Sequence, residues 1–286
     1  MQMRRSGKKM LFVLALLFFT GAAAFSGYKM YTILAEYRVG EESAQSLQQF
    51  VTMQPETSET ASVMTDTSAP QEQNPDTVTS TEGAEATAPA APSEQYPVVD
   101  FEALYQINSD VRGWILLEGT NINYPIVQGE DNNYYINHLV DGTVNGAGSI
   151  FMDCRNASDF SDYHTVLYGH NMKNGTMFAD IIDYKKADFY EAHPTGMVMT
   201  PQESFRIEVI GGYVADLEDP AWDLYFETEE DCLAWLRDAM ARSSVGGDYV
   251  PVGGERIITL STCTYEFDDA RFVLICRVLE TSDGDE

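Results

Sequence analysis

Three residues with complementary chemistry each stand beside a short run typical of a β-strand. Cys263 ends the run from Thr259 to Cys263, Arg271 follows eight positions later, and His170 ends an earlier run that begins at His164. A cysteine is nucleophilic as the thiolate, and a nearby histidine can take up or supply the proton. An arginine keeps its charge and can stabilise a developing oxyanion. Together these residues predict the cleavage and re-formation of an amide bond through a thioester.

Each of these residues also has a structural interpretation when it is considered alone. A single cysteine is more often a buried structural thiol, and a single histidine is more often a surface residue. Arg271 can form an ion pair with the acidic turn at 266–269. The polar neighbours of Cys263 argue against a core position, and His170 lies where a strand opens onto polar residues. His164 has the same alternation parity as His170 and stays an alternative partner for the cysteine.

The elements that must position these residues are mostly strands. Eight β-rich runs follow residue 110, and Gly, Asn, Asp and Pro separate them, which favours an antiparallel sandwich or barrel over alternating β-α units. The runs are Gly113–Leu117, Tyr124–Gln128, Gly148–Met152, Thr165–Tyr168, Met197–Thr200, Ser204–Val214, Arg256–Ser261 and Arg271–Leu279.

Two helical insertions interrupt this pattern, and a short helix precedes it. A short helix is predicted over Phe101–Ile107, a second over about Met177 to Tyr190, and a long one over Glu229–Arg242. Thr228 is a suitable N-cap for the long helix because acidic residues fill its first turn. The segment from Asn132 to Ile136 holds two tyrosines and is polar and aromatic; alone, such a patch more often serves packing than binding.

The N-terminal region predicts a membrane anchor. Residues 1–10 are basic, and residues 11–34 are apolar over nearly the length that crosses a bilayer as a helix. The basic cluster predicts a cytoplasmic N-terminus and an exported remainder in a single-pass protein of the cell membrane. A cleaved signal peptide is the alternative, because Ala22 to Ala24 can supply a cleavage site. We favour the anchor, since the apolar run continues past these alanines.

Composition divides the remainder into a spacer and a domain. Residues 35–97 are rich in Ser, Thr, Glu, Gln, Ala and Pro, so a disordered acidic linker is predicted there. Residues 98–286 have the size of one domain with its own core. The formal net charge of the chain is −28, which argues against nucleic acid as a partner.

The cysteines favour thiols over disulfides or metal ligands. Cys263 must stay reduced to act, which leaves Cys154, Cys232 and Cys276 unable to pair completely. Cys232 lies in a predicted helix and Cys276 in an apolar strand, where buried free thiols are common. The spacing of Cys and His residues suggests no zinc site, and we expect neither a metal nor a cofactor.

Considered jointly, the motifs of residues 98–286 resemble those of the class B sortases. The resemblance covers nearly the whole domain, and the Thr-Leu-Ser-Thr-Cys motif is highly specific. The matching segments are Val99–Leu104, Val111–Ile115, Thr120–Gln128, His164–Met172, Thr259–Cys263 and Arg271–Phe272.

The resemblance implies a mainly β fold, the eight-stranded sortase barrel, with an N-terminal helix and a long helical insertion. It implies that Cys263 is the nucleophile, His170 the general acid and base, and Arg271 the oxyanion or substrate-backbone ligand. It also places four residues in the substrate site: Ser261, Thr264, Asn132 and Ile136.

The implied activity is a cysteine transpeptidation at the cell wall of a Gram-positive bacterium. The substrates would be secreted proteins with a C-terminal signal similar to Asn-Pro-Gln-Thr-Asn or a related pentapeptide, cleaved after threonine. The acceptor would be an amino group of lipid II or peptidoglycan. A pilin-polymerising sortase, a papain-like cell-wall cysteine hydrolase and a non-catalytic adhesion module are the alternatives. In papain-like enzymes the cysteine usually precedes the histidine, which is the reverse of the order here.

Overall fold

The computed structural model of the protein describes residues 3–54, 96–247 and 249–279. Most of the predicted linker, residues 55–95, lies outside the described residues. The described residues divide into two compact units, one of residues 3–50 with 99–247 and 249–279, and one of residues 51–54 with 96–98. Strands β1 (Val51–Gln54) and β2 (Tyr96–Val99) pair in a separate two-stranded sheet.

Four α-helices accompany the strands, and the first is by far the longest. The helices are α1 (Met3–Leu47), α2 (Phe101–Ile107), α3 (Ala187–Ala192) and α4 (Glu229–Arg242). Within the described residues, the segment Phe12–Phe50 is long and apolar enough to cross a membrane. Helices α2 and α4 have the predicted bounds. Thr228 caps α4 in a capping box with Asp231, because each residue accepts a hydrogen bond from the backbone of the other.

Helix α1 continues well beyond Leu34, where we expected the anchor to end and the linker to begin. The carboxylate of Glu36 accepts a hydrogen bond from the backbone N–H of Gly146 at 2.7 Å, and its carbonyl accepts one from the Asn145 amide at 2.9 Å. Leu47 is buried. The beginning of the predicted linker is therefore helical and packs on the barrel, because these long-range contacts supply partners that local composition does not reveal.

Eight strands close into a barrel in the order β10-β8-β7-β3-β4-β5-β6-β9. This confirms the predicted barrel. Two of its neighbouring pairs, β4 with β5 and β6 with β9, are parallel, so the barrel is mixed and not purely antiparallel as predicted. The strands are β3 (Val111–Leu117), β4 (Asn123–Val127), β5 (Ile150–Met152), β6 (His164–Tyr168), β7 (Thr195–Met199), β8 (Ser204–Ala215), β9 (Ile257–Cys263) and β10 (Arg271–Leu279).

The main hydrophobic core is built from apolar side chains of these strands, among them Ile126, Leu167, Ile207, Leu260 and Phe272. A second cluster lies between α4 and the barrel, where Trp235, Leu236 and Ala239 join a group of side chains from the strands. These two clusters fix the ends of β6, β9 and β10 relative to one another.

The helix predicted over Met177 to Tyr190 is divided in the structure. A 3-10 helix covers Ala179–Lys185, and α3 follows after Lys186. Lys186 has an extended backbone, with φ −96° and ψ 125°. Met177 has a φ of +59°, and its N–H donates to the Tyr124 hydroxyl at 3.0 Å. A residue with this backbone does not begin an α-helix, so the predicted start at Met177 was too early.

Candidate active site

The ends of three strands bring the three chemical side chains together. Strand β6 lies parallel to β9, with Tyr168 paired to Ser261, and β9 lies antiparallel to β10, with Cys263 paired directly to Arg271. Beyond β6, the Gly169 N–H donates to the Ser261 carbonyl at 3.1 Å. The segment that leads to His170 therefore lies beside the end of β9 that carries Cys263.

A cavity of about 330 Å³ opens at this end of the barrel. Six of the seven predicted site residues line it, and Thr264 is the exception. Its lining residues are Asn132, Ile136, Phe151, Tyr168, Gly169, His170, Leu217, Trp222, Ser261, Thr262, Cys263 and Arg271.

Cys263 is the last residue of β9 and is partly exposed to the cavity. Its carbonyl accepts a hydrogen bond from the Asn171 side chain at 3.1 Å, which holds the strand end against the segment after His170. All four cysteines are free thiols. Burial raises the pKa of Cys232 to about 11 and raises that of Cys276 further, so both are inert thiols of the core.

His170 is held by a backbone carbonyl of another cavity residue. Its Nε2 atom lies 2.7 Å from the carbonyl oxygen of Ile136. A carbonyl oxygen only accepts hydrogen bonds, so Nε2 carries a proton. In the neutral ring the lone pair is then on Nδ1, which is the nitrogen free to accept a proton. Ile136 thus contributes to the site through its backbone as well as through the cavity wall.

His164 lies in the core and not in the cavity, which settles the alternative that the sequence left open. Its Nδ1 donates to the Asp223 carbonyl at 2.7 Å, and its Nε2 faces the Thr259 hydroxyl at 2.8 Å. The ring packs against Trp235, with centroids 4.2 Å apart. Burial lowers the pKa of His164 to about 4, so this histidine is neutral at physiological pH.

Arg271 lines the cavity, and its guanidinium has backbone partners. Its Nη1 donates to the backbone carbonyls of Asp269 and Ala270, both at 3.1 Å. Over the described ranges no carboxylate lies within ion-pair distance of its guanidinium. The acidic turn therefore holds Arg271 by its backbone, and the charge stays available to a ligand.

Thr264 does not line the cavity, contrary to its predicted place. Its side chain is buried, and its hydroxyl lies 3.0 Å from Lys185 Nζ and 2.6 Å from a carboxylate oxygen of Glu266. Hydrogen bonds from Lys185 and Thr264 lower the pKa of Glu266 to about 2. The hydroxyl is used to fasten the turn between β9 and β10, because Lys185 reaches it from a segment distant in sequence.

Six cavity residues were not among the predicted site residues: Phe151, Tyr168, Gly169, Leu217, Trp222 and Thr262. Tyr168 precedes His170 by two positions, and strand alternation could have indicated that both face the same side. Leu217 and Trp222 lie in the connection from β8 to α4, and no local motif marks them. They add two apolar side chains to the cavity wall.

The fold is the sortase-type β-barrel, with a free thiol, an imidazole and a guanidinium around one cavity. No protein-family model matches the chain. The chain is 38% identical to sortase B of Listeria monocytogenes over 165 residues, which is 58% of this chain and 67% of that protein. It is 34% identical to sortase B of Staphylococcus aureus over 184 residues, 64% of this chain and 75% of that protein. The chain belongs to the sortase B family and is accordingly a sortase transpeptidase.

Solved structures agree with this assignment. Clostridium perfringens sortase B has a TM-score of 0.60 and 34% identity, covering 63% of this chain and 100% of that chain. A Staphylococcus aureus sortase B–substrate complex has a TM-score of 0.59 and 35% identity, covering 64% of this chain and 85% of that chain. A sortase B complexed with triglycine has the same TM-score and identity, covering 64% of this chain and 86% of that chain.

Proposed function

We propose that this protein is a membrane-anchored cysteine transpeptidase with Cys263 as its nucleophile. It cleaves the sorting signal of a secreted protein after threonine and joins the surface protein to an amino group of lipid II or peptidoglycan. One observation carries the proposal: Cys263 and Arg271 are directly paired on β9 and β10, and His170 lines the same cavity.

The position of the hydrogen bond on His170 suggests which nitrogen moves the proton. Since Nε2 donates to Ile136, Nδ1 is the atom that exchanges a proton with the reacting groups. The Cys263 thiolate attacks the threonine carbonyl, and His170 protonates the departing amine. In the second half of the reaction, the acceptor amine attacks the thioester and His170 takes its proton.

Arg271 supplies positive charge where the tetrahedral intermediate becomes negative. Two backbone carbonyls fix Nη1, so Nε and Nη2 are the donors left for an oxyanion or for the substrate backbone. Fixed donors of this kind lower the barrier because they need no reorganisation during the reaction. Asn132, Ile136 and Ser261 line the same cavity and are proposed to contact the signal peptide.

The substrate and acceptor classes rest on related proteins. A sortase B from Staphylococcus aureus has been solved with its substrate, and a sortase B has been solved with triglycine. By analogy, we propose a signal similar to Asn-Pro-Gln-Thr-Asn and an acceptor with a free amino group. Helix α1 is proposed to hold the barrel at the outer face of the cell membrane, with the basic N-terminus in the cytoplasm.

The test is to trap the covalent intermediate. The full-length chain, solubilised in detergent, is incubated with a peptide library built around Asn-Pro-Gln-Thr-Asn, with and without triglycine. Mass spectrometry should detect an acyl group on Cys263 without triglycine, and a peptide joined to triglycine when it is present. Cys263→Ala should abolish both products, a loss of about a thousandfold or more.

Cys154→Ala is the matched control, because Cys154 is also a partly exposed free thiol but does not line the cavity. It should retain both products. Normal ligation by Cys263→Ala would refute the proposed nucleophile. Hydrolysis that triglycine never diverts would instead favour a cysteine hydrolase.

A further inference from the structure

A buried carboxylate lies directly behind the cavity wall. Asp153 follows β5, and its side chain is completely buried. It accepts hydrogen bonds from three groups of Arg155, namely the backbone N–H, Nε and Nη2, at 2.9–3.0 Å. It also accepts one from the Tyr168 hydroxyl and one from the Asn132 side-chain amide, both at 2.9 Å. Tyr168 and Asn132 themselves line the cavity.

Asp153 is ionised in the folded protein. Burial acts to raise its pKa, but the hydrogen bonds from Arg155 and Tyr168 outweigh burial and hold the pKa below its ordinary value. Conversely, burial and the Asp153 charge raise the pKa of Tyr168, which keeps its proton. An ionised carboxylate can only accept hydrogen bonds. Both cavity residues must therefore point a donor towards it.

This requirement fixes the orientation of both side chains. Tyr168 has one O–H group, and this group donates its hydrogen bond to Asp153. Asn132 presents its amide nitrogen to Asp153, while its amide oxygen accepts from the Cys154 backbone N–H at 2.8 Å. The two contacts agree on which end of the amide is oxygen, so a flipped amide would lose both of them.

The same carboxylate joins the chain segments that surround the proposed catalytic residues. Tyr168 ends β6 two positions before His170 and pairs with Ser261 of β9. Asn132 leads into the short helix that ends at Ile136, the residue whose carbonyl holds His170. Asp153 thus connects β5, the end of β6 and the segment before Ile136 at one point. Movement of its partners away from Asp153 would leave hydrogen bonds of a buried carboxylate unmade, which is unfavourable, so the charge holds these partners in place.

We propose that Asp153 is a positioning residue of this site, which fixes Asn132 and Tyr168 for binding of the signal peptide. The inference rests on the proposed function and deepens it by assigning a specificity-supporting role to a residue that the substrate does not touch. The charge of Asp153 orders the wall before the peptide arrives, so its main effect is on peptide binding and not on the reactivity of Cys263.

The test compares Asp153→Asn and Tyr168→Phe with variants of similar chemistry outside the cavity. Asp162→Asn removes a carboxylate that accepts from Asn156 and Ala157, and Tyr163→Phe removes a hydroxyl at an exposed position. For each full-length variant, kcat and KM for ligation of the signal peptide to triglycine are measured. The rate at which a small methanethiosulfonate labels Cys263 is measured in parallel.

The expected result is a higher KM with little change in kcat. Asp153→Asn should raise KM about tenfold and Tyr168→Phe about fivefold, as expected for loss of one or two buried hydrogen bonds. The double variant should be no worse than Asp153→Asn alone, because both changes break the same contact. Labelling of Cys263 should stay at the wild-type rate, and both controls should keep the wild-type KM.

Each alternative outcome is informative. If Asp153→Asn folds and its KM lies within about twofold of wild type, the positioning role is refuted. If Asp153→Asn does not fold, Tyr168→Phe decides, since it removes only one hydroxyl: an unchanged KM refutes the proposal. An equal loss of peptide binding and of Cys263 labelling would mean a merely structural role, which also overturns it. A wild-type chain that forms no acyl-enzyme would instead overturn the proposed function, and this inference with it.

Discussion

The two ends of the strand group β6, β9 and β10 carry similar residues in opposite environments. One end has His164 on β6 and Arg277 on β10, both paired in register with Ile257 of β9. The other end has His170, Cys263 and Arg271. At the first end His164 is sealed beneath Trp235, and Arg277 contacts the carboxylates of Glu208 and Glu255. At the second end the same types of side chain line a cavity.

The difference shows that residue type does not decide chemistry in this barrel. Both ring nitrogens of His164 have hydrogen-bond partners and its pKa is lowered, so it cannot shuttle a proton near neutral pH. Arg277 lies between two carboxylates, which largely neutralise its charge. At the open end, His170 has one nitrogen fixed by a carbonyl and Arg271 has no carboxylate partner among the described residues. We call these the sealed end and the open end.

The largest expected difference in kcat/KM is between variants of the two histidines. His170→Ala at the open end removes the group that moves protons, so kcat/KM for peptide ligation should fall by about 10²- to 10⁴-fold. His164→Gln at the sealed end should keep kcat/KM within about threefold, because the contacts that it changes lie in the core and not in the cavity. Steady-state ligation kinetics measure both. Comparable losses in two well-folded variants would show that the sealed end takes part in the chemistry.

Acid should destabilise the protein because His164 at the sealed end is held in its neutral form. The pKa of His164 is about 4 in the folded chain against an ordinary value of 6.5, so the unfolded chain binds a proton more readily. The contribution of His164 to stability is therefore complete above about pH 6.5 and is lost as the pH falls towards 4. This amounts to about 3 kcal/mol.

Urea unfolding at several pH values measures this contribution when wild type and His164→Gln are compared. The stability difference between them should shrink by about that amount between neutral pH and the folded-state pKa of His164. A difference that does not change with pH would mean that His164 titrates normally, which would contradict its sealed environment.

A smaller difference in kcat/KM is expected between variants of the two arginines of β10. Arg271→Lys keeps the charge but cannot hold two carbonyls and still present fixed donors to the cavity, so kcat/KM should fall about tenfold to a hundredfold. Arg277→Lys at the sealed end should leave kcat/KM nearly unchanged and lower the free energy of unfolding by about 1 kcal/mol. Equal kinetic losses in both variants would argue that Arg271 acts only on barrel stability.

Much of the site was predictable because its residues end strands. The apolar run before Cys263 and the one before His170 gave the strand ends directly, and a resemblance in several motifs placed Arg271 beside them. The error at Thr264 has a clear physical cause. Its hydroxyl bonds to Lys185, which lies 79 residues away in sequence, so its local polarity said nothing about the direction in which it points.

Local patterns were sufficient to predict the apolar helix near the N-terminus, the capped helix α4, the strands and the three residues at or beside their ends, since periodicity, caps and short motifs are local properties of the chain. Four features emerge only in the folded chain: the parallel pairing of β6 and β9, the burial of His164, the contribution of Leu217 and Trp222 to the cavity wall, and the contact of Asp153 with Tyr168. These features depend on burial and on partners far apart in sequence, such as His164 with Thr259, and such contacts exist only after the barrel closes.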